Sequence, residues 1–162
     1  QAGELVIECE DFKGVHLAAT HNFEIVVSSD LCKELVCLHG AHFAPIVDCR
    51  TGEVSLDFRQ LVPSGVLPDL VPPTRFSRSS NYCQACGQNG IYLDSEMHLE
   101  NPPTLGIHFY QTRQLFGEMR DRACPGPEFV FSWRALEVVR EFDKRAVKQE
   151  PVYVRGELIC RD

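Results

Sequence analysis

The segment Tyr82-Cys83-Gln84-Ala85-Cys86-Gly87-Gln88-Asn89-Gly90 carries the residues whose spacing points most directly to chemistry. Two cysteines two residues apart and followed by glycine form a knuckle. The turn points both sulfurs inward, backbone N–H groups face them, and glycine allows the tight geometry. Such a pair supplies half of a structural zinc site, which needs four ligands. No second CxxC and no HxxxH follows, so the other two ligands come singly from distant chain. Cys124 is the first choice, because Pro125-Gly126-Pro127 fixes its backbone on a loop. His98 and His108 come next, then Cys49 and Cys160. The expected set is Cys83, Cys86, Cys124 and His108 around one structural zinc per chain.

Other chemistries fit the residues less well. A thioredoxin-type redox pair sits at a strand-to-helix junction, whereas Gly87–Gly90 leads into the strand-like run Ile91-Tyr92-Leu93. His98-Leu99-Glu100 has the H-x-E of zinc nucleobase deaminases, but the CxxC precedes it and follows Tyr82, not Pro, the reverse of that motif. A thiol hydrolase needs one Cys beside one His. Cys32, Cys37 or Cys124 would be its nucleophile, and His39, His42 or His108 its base. Leu38-His39-Gly40-Ala41-His42 also reads as ordinary turn sequence. No Gly-x-Ser-x-Gly elbow, Walker loop, GxGxxG or HExxH is present. The paired carboxylates at 10–11, 94–96 and 118–121 sit in polar runs typical of solvated turns. With no assembled active site, an enzyme is the second reading and a non-enzymatic interaction or regulatory domain the first.

Composition narrows the partners. Sixteen Lys and Arg stand against 23 Asp and Glu, a net charge of −7, and an acidic field disfavours duplex nucleic acid and anionic membranes. The best local basic candidates, Arg75, Arg78, Arg113, Arg120 and Arg122, are sparse and interleaved with Glu118 and Asp121. They leave nucleic-acid binding as a third reading. No apolar run approaches the ~18 residues of a membrane span, and Gln1-Ala2-Gly3-Glu4 lacks the features of a signal peptide. Eight cysteines in 162 residues fall short of the ~8–10% of a disulfide scaffold, and several lie in apolar runs where free Cys packs as a small hydrophobe. The expectation is a reduced protein of the cytoplasm or nucleus, with a protein partner.

The elements that would position the knuckle follow from periodicity. Glu4–Cys9 and Phe23–Ser28 read as short strands, then Ser28-Ser29-Asp30 caps a helix over Asp30–His39 that stops at Gly40. His42–Cys49 and Glu53–Phe58 flank Arg50-Thr51-Gly52 as a hairpin, with Val54, Leu56 and Phe58 expected inside and Ser55 and Asp57 outside. Residues 61–80, with four prolines, read as a connector laid on the surface and as a docking or regulatory segment, Ser77, Ser79 and Ser80 lying beside Arg75 and Arg78. Further on, Thr104–Tyr110 reads as a strand and Gln111–Arg122 carries helical spacing at Leu115, Phe116 and Met119. Cys124–Pro127 is irregular and Glu128–Phe131 a strand. Ser132 caps the best helix, Trp133–Val147, and Pro151–Cys160 closes as a strand bent at Gly156. No internal repeat is visible, and the aromatics of the second half read as core. The fold class is α+β: one domain over 1–162, divisible into 1–60 and 81–162 around the connector.

Overall fold

The computed structural model describes residues 4–85, 87–119, 124–144, 150–154 and 157–158. Strands dominate and two helices pack on them, an α+β arrangement. The first half builds a five-stranded sheet from β1 (Leu5–Ile7), β2 (Leu17–Ala19), β3 (Ile25–Ser28), β4 (Ala41–Asp48) and β5 (Val54–Pro63), in the order β1-β4-β5-β3-β2. Only the β1–β4 join is parallel. β3 is apolar over its first three residues, 25–27, because both its faces are covered there. Ile25 and Val27 face the helices, while Val26 joins Leu5, Ile46 and Phe58 under Phe12 of a single 3-10 turn, Cys9–Phe12.

Helix α1 (Ser29–Leu35) follows β3 directly. Ser28 is its N-cap, accepting from the Leu31 amide as such serines do. The helix ends earlier than its spacing suggests, and Gly40 turns the chain at φ +104°. A Cβ there would lie 2.4 Å from Ile107 Cγ2, so packing as well as φ demands glycine.

The β4–β5 hairpin forms around Gly52, at φ +72°. Its facing departs from simple alternation: Leu56 is 82% exposed and Ser55 is buried. The ladder breaks between Pro45 and Val47, and the Ser55 hydroxyl accepts from the Asp57 and Phe58 amides, so the bulge resets the period before Phe58 turns inward. β5 then runs on through Leu61 and Val62 to Pro63, which pairs with Ala41 at the end of the ladder.

The rest of the connector is laced into the fold. β6 (Gly65–Val66) pairs with β10 (Phe109–Phe116), Leu67 is fully buried, Leu70 bridges to Leu99, and β7 (Phe76–Arg78) pairs with β8 (Ile91–Leu93). Its aliphatic side chains Leu67 and Leu70 therefore pack inward, against Met97, Leu99 and Tyr110. β10 also pairs with β11 (Gly126–Phe131), and β9 (Met97–Leu99) takes β12 (Val152–Val154) and β13 (Glu157–Leu158) as a third small sheet.

Residues 111–116 are thus strand, not helix, and 104–108 are loop. Phe109, Tyr110, Thr112 and Phe116 are all buried, and the Thr112 hydroxyl stabilises a bulge by donating to Gln114 O and accepting from the Glu128 amide. Three apolar residues in one turn could not compete with that ladder. Met119, the third of them, is exposed. Pro127 sits within β11, on a strand paired on one side only among the described residues, where its missing N–H is tolerated. Helix α2 (Trp133–Phe142) is capped by Ser132 as its sequence indicates and buries Ala135, Leu136 and Val139.

The two helices pack together over a core drawn from both halves: Ile25, Val27, Leu31, Leu35 and Leu61 with Phe109, Ala135 and Val139. A repeat that the sequence hides is visible at this level. In β2–β3–α1 and again in β10–β11–α2, an antiparallel strand pair ends in a serine that caps a helix. A histidine just before the first strand bonds that serine in both: His16 Nδ1 lies 3.0 Å from Ser28 Oγ, and His108 Nδ1 2.7 Å from Ser132 Oγ. Each histidine carbonyl also accepts from its serine's amide, at 2.9 Å.

Candidate functional site

The CxxCG segment is the connection between β7 and β8, whose register puts Arg78 opposite Ile91. Ser79 N–H donates to Gly90 O, extending the ladder by one bond, and then the chain turns. Cys83 N–H donates to Asn89 O and Gly87 N–H to Cys83 O at 2.9 Å, with Gly87 at φ +66°. Left-handed φ is what glycine supplies at such a turn. Gly90, at φ +81°, leaves no room at all: a Cβ would stand 2.6 Å from Ser79 Oγ and 2.9 Å from Tyr82 Cα. The Arg78 guanidinium covers the Tyr82 ring at 4.4 Å.

The knuckle is clamped to the end of β10. Gly90 N–H donates to Gly117 O, and Gly117 N–H to Ile91 O at 2.7 Å. Asn89 holds both sides at once, giving Nδ2–H to Asn81 O and accepting from Met119 N–H. Behind it, Glu118 is buried and accepts from Asn81 Nδ2 and from the Tyr92 hydroxyl. This carboxylate, placed in a polar run and expected in solvent, is the polar anchor of the site. The charge-assisted hydrogen bonds that it accepts from Asn81 and Tyr92 offset its loss of water. Asn89-Gly90 was the readable part of this clamp, while nothing local in the sequence links Glu118 to Asn81 or Tyr92.

No family model, curated protein or solved structure matches this chain.

Cys83 is half-buried, and Cys86 lies outside the described residues. Cys124 is exposed and stands at the same end of β10 as the knuckle: Phe116 pairs with Gly126, and Pro125 Cα comes within 4.0 Å of a Cβ built on Gly117. His108 is at the other end. It precedes Phe109, which pairs with Phe131, and it engages Ser132. An eight-residue strand at ~3.4 Å per residue separates it from the knuckle by over ~20 Å. The structure thus sets Cys83 and Cys124 on one end of the strand and does not bring His108 to them. Among the described residues no three His, Cys, Asp or Glu side chains converge on a metal position.

The other named residues are dispersed. His98 stacks on Tyr153, rings 4.8 Å apart, and its buried Nδ1 has no hydrogen-bond partner among the described residues. Cys49 is exposed near the β4–β5 turn, and Cys160 lies outside the described residues. Cys32 packs beside the main core, where burial pushes its thiol pKa up against the opposing pull of Arg59. That shift is the reverse of what an activated nucleophile needs. Cys37 is exposed and donates to Glu34 O. His39 offers its carbonyl to His108 N–H, and His42 projects from β4 into solvent. Burial, then Arg134 and His39, hold the His108 pKa below the usual histidine range.

Of the arginines, Arg113 bridges Asp69 at 3.0 Å and Arg78 covers Tyr82, while Arg120 and Arg122 lie outside the described residues. Ser77 and Ser79 of the connector are engaged, the first donating to Asp94 and the second accepting from the Asn81 amide. Among the described residues no helix is long and apolar enough to cross a membrane.

Proposed function

We infer that this chain is a non-enzymatic protein-interaction domain whose Cys83–Cys86 knuckle binds a structural zinc, with Cys124 as a third ligand. The observation that carries the reading is the clamp. The knuckle turn is pre-shaped by Gly87 N–H bonding Cys83 O, and Asn89 and Glu118 hold it against the segment that leads to Cys124. Thiolates are the ligands zinc prefers in such turns, and the metal would tie the β7–β8 tip to the β10–β11 turn, two segments already joined by hydrogen bonds. A reducing compartment, cytoplasm or nucleus, keeps such thiols available.

Elemental analysis of protein purified without added metal tests this. About one zinc per chain is expected, lost on Cys83→Ser, Cys86→Ser or Cys124→Ser, with zinc-edge absorption reporting sulfur neighbours at about 2.3 Å. A metal-free, folded protein overturns the zinc. One thiol alkylated far faster than the others below pH 7 overturns the non-enzymatic reading in favour of a cysteine enzyme.

A further inference from the structure

The five-stranded sheet ends at β1, an edge that is unpaired on its outer side among the described residues. Among the described residues β1 pairs only with β4, in parallel register, Leu5 with Ile46, Val6 with Val47 and Ile7 with Asp48. Cys49 N–H donates to Ile7 O at 2.8 Å. In a parallel ladder that pattern turns the main-chain groups of Leu5 and Ile7 toward β4 and those of Val6 outward. Glu8 continues the extended backbone at φ −83°, ψ 101°.

Alternation puts Glu4, Val6 and Glu8 on one face of the strand. On that face Val6 is the outer member of a cross-strand row, Val6–Val47–Val54, whose ends are 55% and 50% exposed. The opposite face is closed, with Leu5 buried against Ile46 and Phe58. The edge therefore shows one main-chain donor and acceptor at Val6, an apolar row beside them, and a carboxylate on either side. Glu8 is tied only loosely, 3.6 Å from Arg50 and solvent-exposed.

We propose that β1 takes an extended basic segment of a partner protein as a sixth, antiparallel strand, with the pattern basic–x–aliphatic–x–basic. The aliphatic residue lies opposite Val6 and extends the valine row, and the two basic residues meet Glu4 and Glu8. Strand addition of this kind draws affinity from main-chain bonds and selectivity from alternate side chains. Charge selects against a second copy of this chain: self-pairing centred on Val6 sets Glu4 of one copy against Glu8 of the other, between molecules that each carry −7. The inference rests on reading the chain as an interaction domain, and adds the surface and the chemistry of its partner.

The test uses a fluorescent peptide with Arg-Thr-Val-Thr-Lys at its centre, titrated by anisotropy at low salt with zinc content measured on the same sample. Saturable binding is expected, weakened at least tenfold when both basic residues become Glu and likewise when the central valine amide is N-methylated. Glu4→Lys with Glu8→Lys reverses the preference toward the acidic peptide. No saturable binding, or binding indifferent to N-methylation, overturns the proposal. So does a concentration-dependent dimer abolished by Val6→Lys, which assigns the edge to a second copy. Failure with one zinc bound removes this edge alone, whereas protein without zinc removes the zinc reading whatever the peptide does.

Discussion

β2–β3–α1 and β10–β11–α2 solve one problem with the same parts and then put them to different ends. Each serine hydroxyl accepts from the helix's third amide (Leu31, Ala135) at 3.2 Å. Each hydroxyl also lies within hydrogen-bond distance of the neighbouring histidine Nδ1, so one serine joins a helix cap to an imidazole in both units. The surroundings then diverge. His16 stands near Asp30 and the Phe142 ring, whereas His108 stands near Arg134 and His39. α1 is short and buries Leu31 and Leu35 completely, while α2 leaves Trp133 half-exposed, its indole N–H on Glu137.

The far ends differ most. The β2–β3 turn is closed by Thr20 and places Phe23 at φ +64°, an uncommon conformation for a bulky residue. Its ring lies against Gly126 and Gly117, the base of the loop bearing the knuckle's partner segment. One unit thus acts as a brace, while the other carries Cys124 and meets the knuckle at the end of β10. The lesson is that a shared cap motif marks architecture, not chemistry, and the chemistry sits where the two units differ.

The brace is the easiest part to break. A Cβ on Gly126 would fall 2.3 to 2.6 Å from Phe23 Cδ2, Cγ and Cβ, so Gly126→Ala forces the ring out and is expected to destabilise by about 1–3 kcal/mol. Chemical denaturation of Gly126→Ala alone and with Phe23→Ala checks it. The double variant should recover part of the loss, and strict additivity would separate the two units.

The caps come next. Ser28→Ala and Ser132→Ala should each cost about 0.5–2 kcal/mol. The larger loss is expected at Ser132, because the histidine it leaves without a partner is the one held in a desolvated, cationic setting. Equal losses by thermal melting would mean that the surroundings of the two latches do not matter.

The smallest effect is in pH. Because the folded state holds the His108 pKa down, the unfolded chain takes up that proton first. The contribution is present above the ordinary histidine value near 6.5 and is lost as pH falls below it through the lowered folded value. Denaturation midpoints between pH 7.5 and 5 should fall less steeply for His108→Asn than for the wild type. Parallel slopes would contradict the assignment.

Much of the frame was legible in the sequence because it rests on local rules. Ser28 and Ser132 precede amphipathic runs, Gly52 marks its turn, and Val26-Val27 reads as strand. What escaped depends on partners remote in the chain. Residues 111–116 look helical until β6 and β11 claim them, Leu56 is displaced outward by a bulge that only the Ser55 hydroxyl explains, and Glu118 reads as solvated until Asn81 and Tyr92 close over it. The repeat was hidden because it consists of a topology and a few histidine–serine bonds, with only Glu, Val and Ser shared between residues 24–35 and 128–139. Of the knuckle, the CxxCG itself was plain. What the sequence could not show is that His108 stands a strand's length from Cys83 and Cys124.

Zinc content compared across wild type, Cys83→Ser and His108→Asn tests the central claim most directly. The account predicts about one zinc per chain in the wild type and in His108→Asn, and none in Cys83→Ser. A wild type without zinc, or a His108→Asn protein that loses it, contradicts the account.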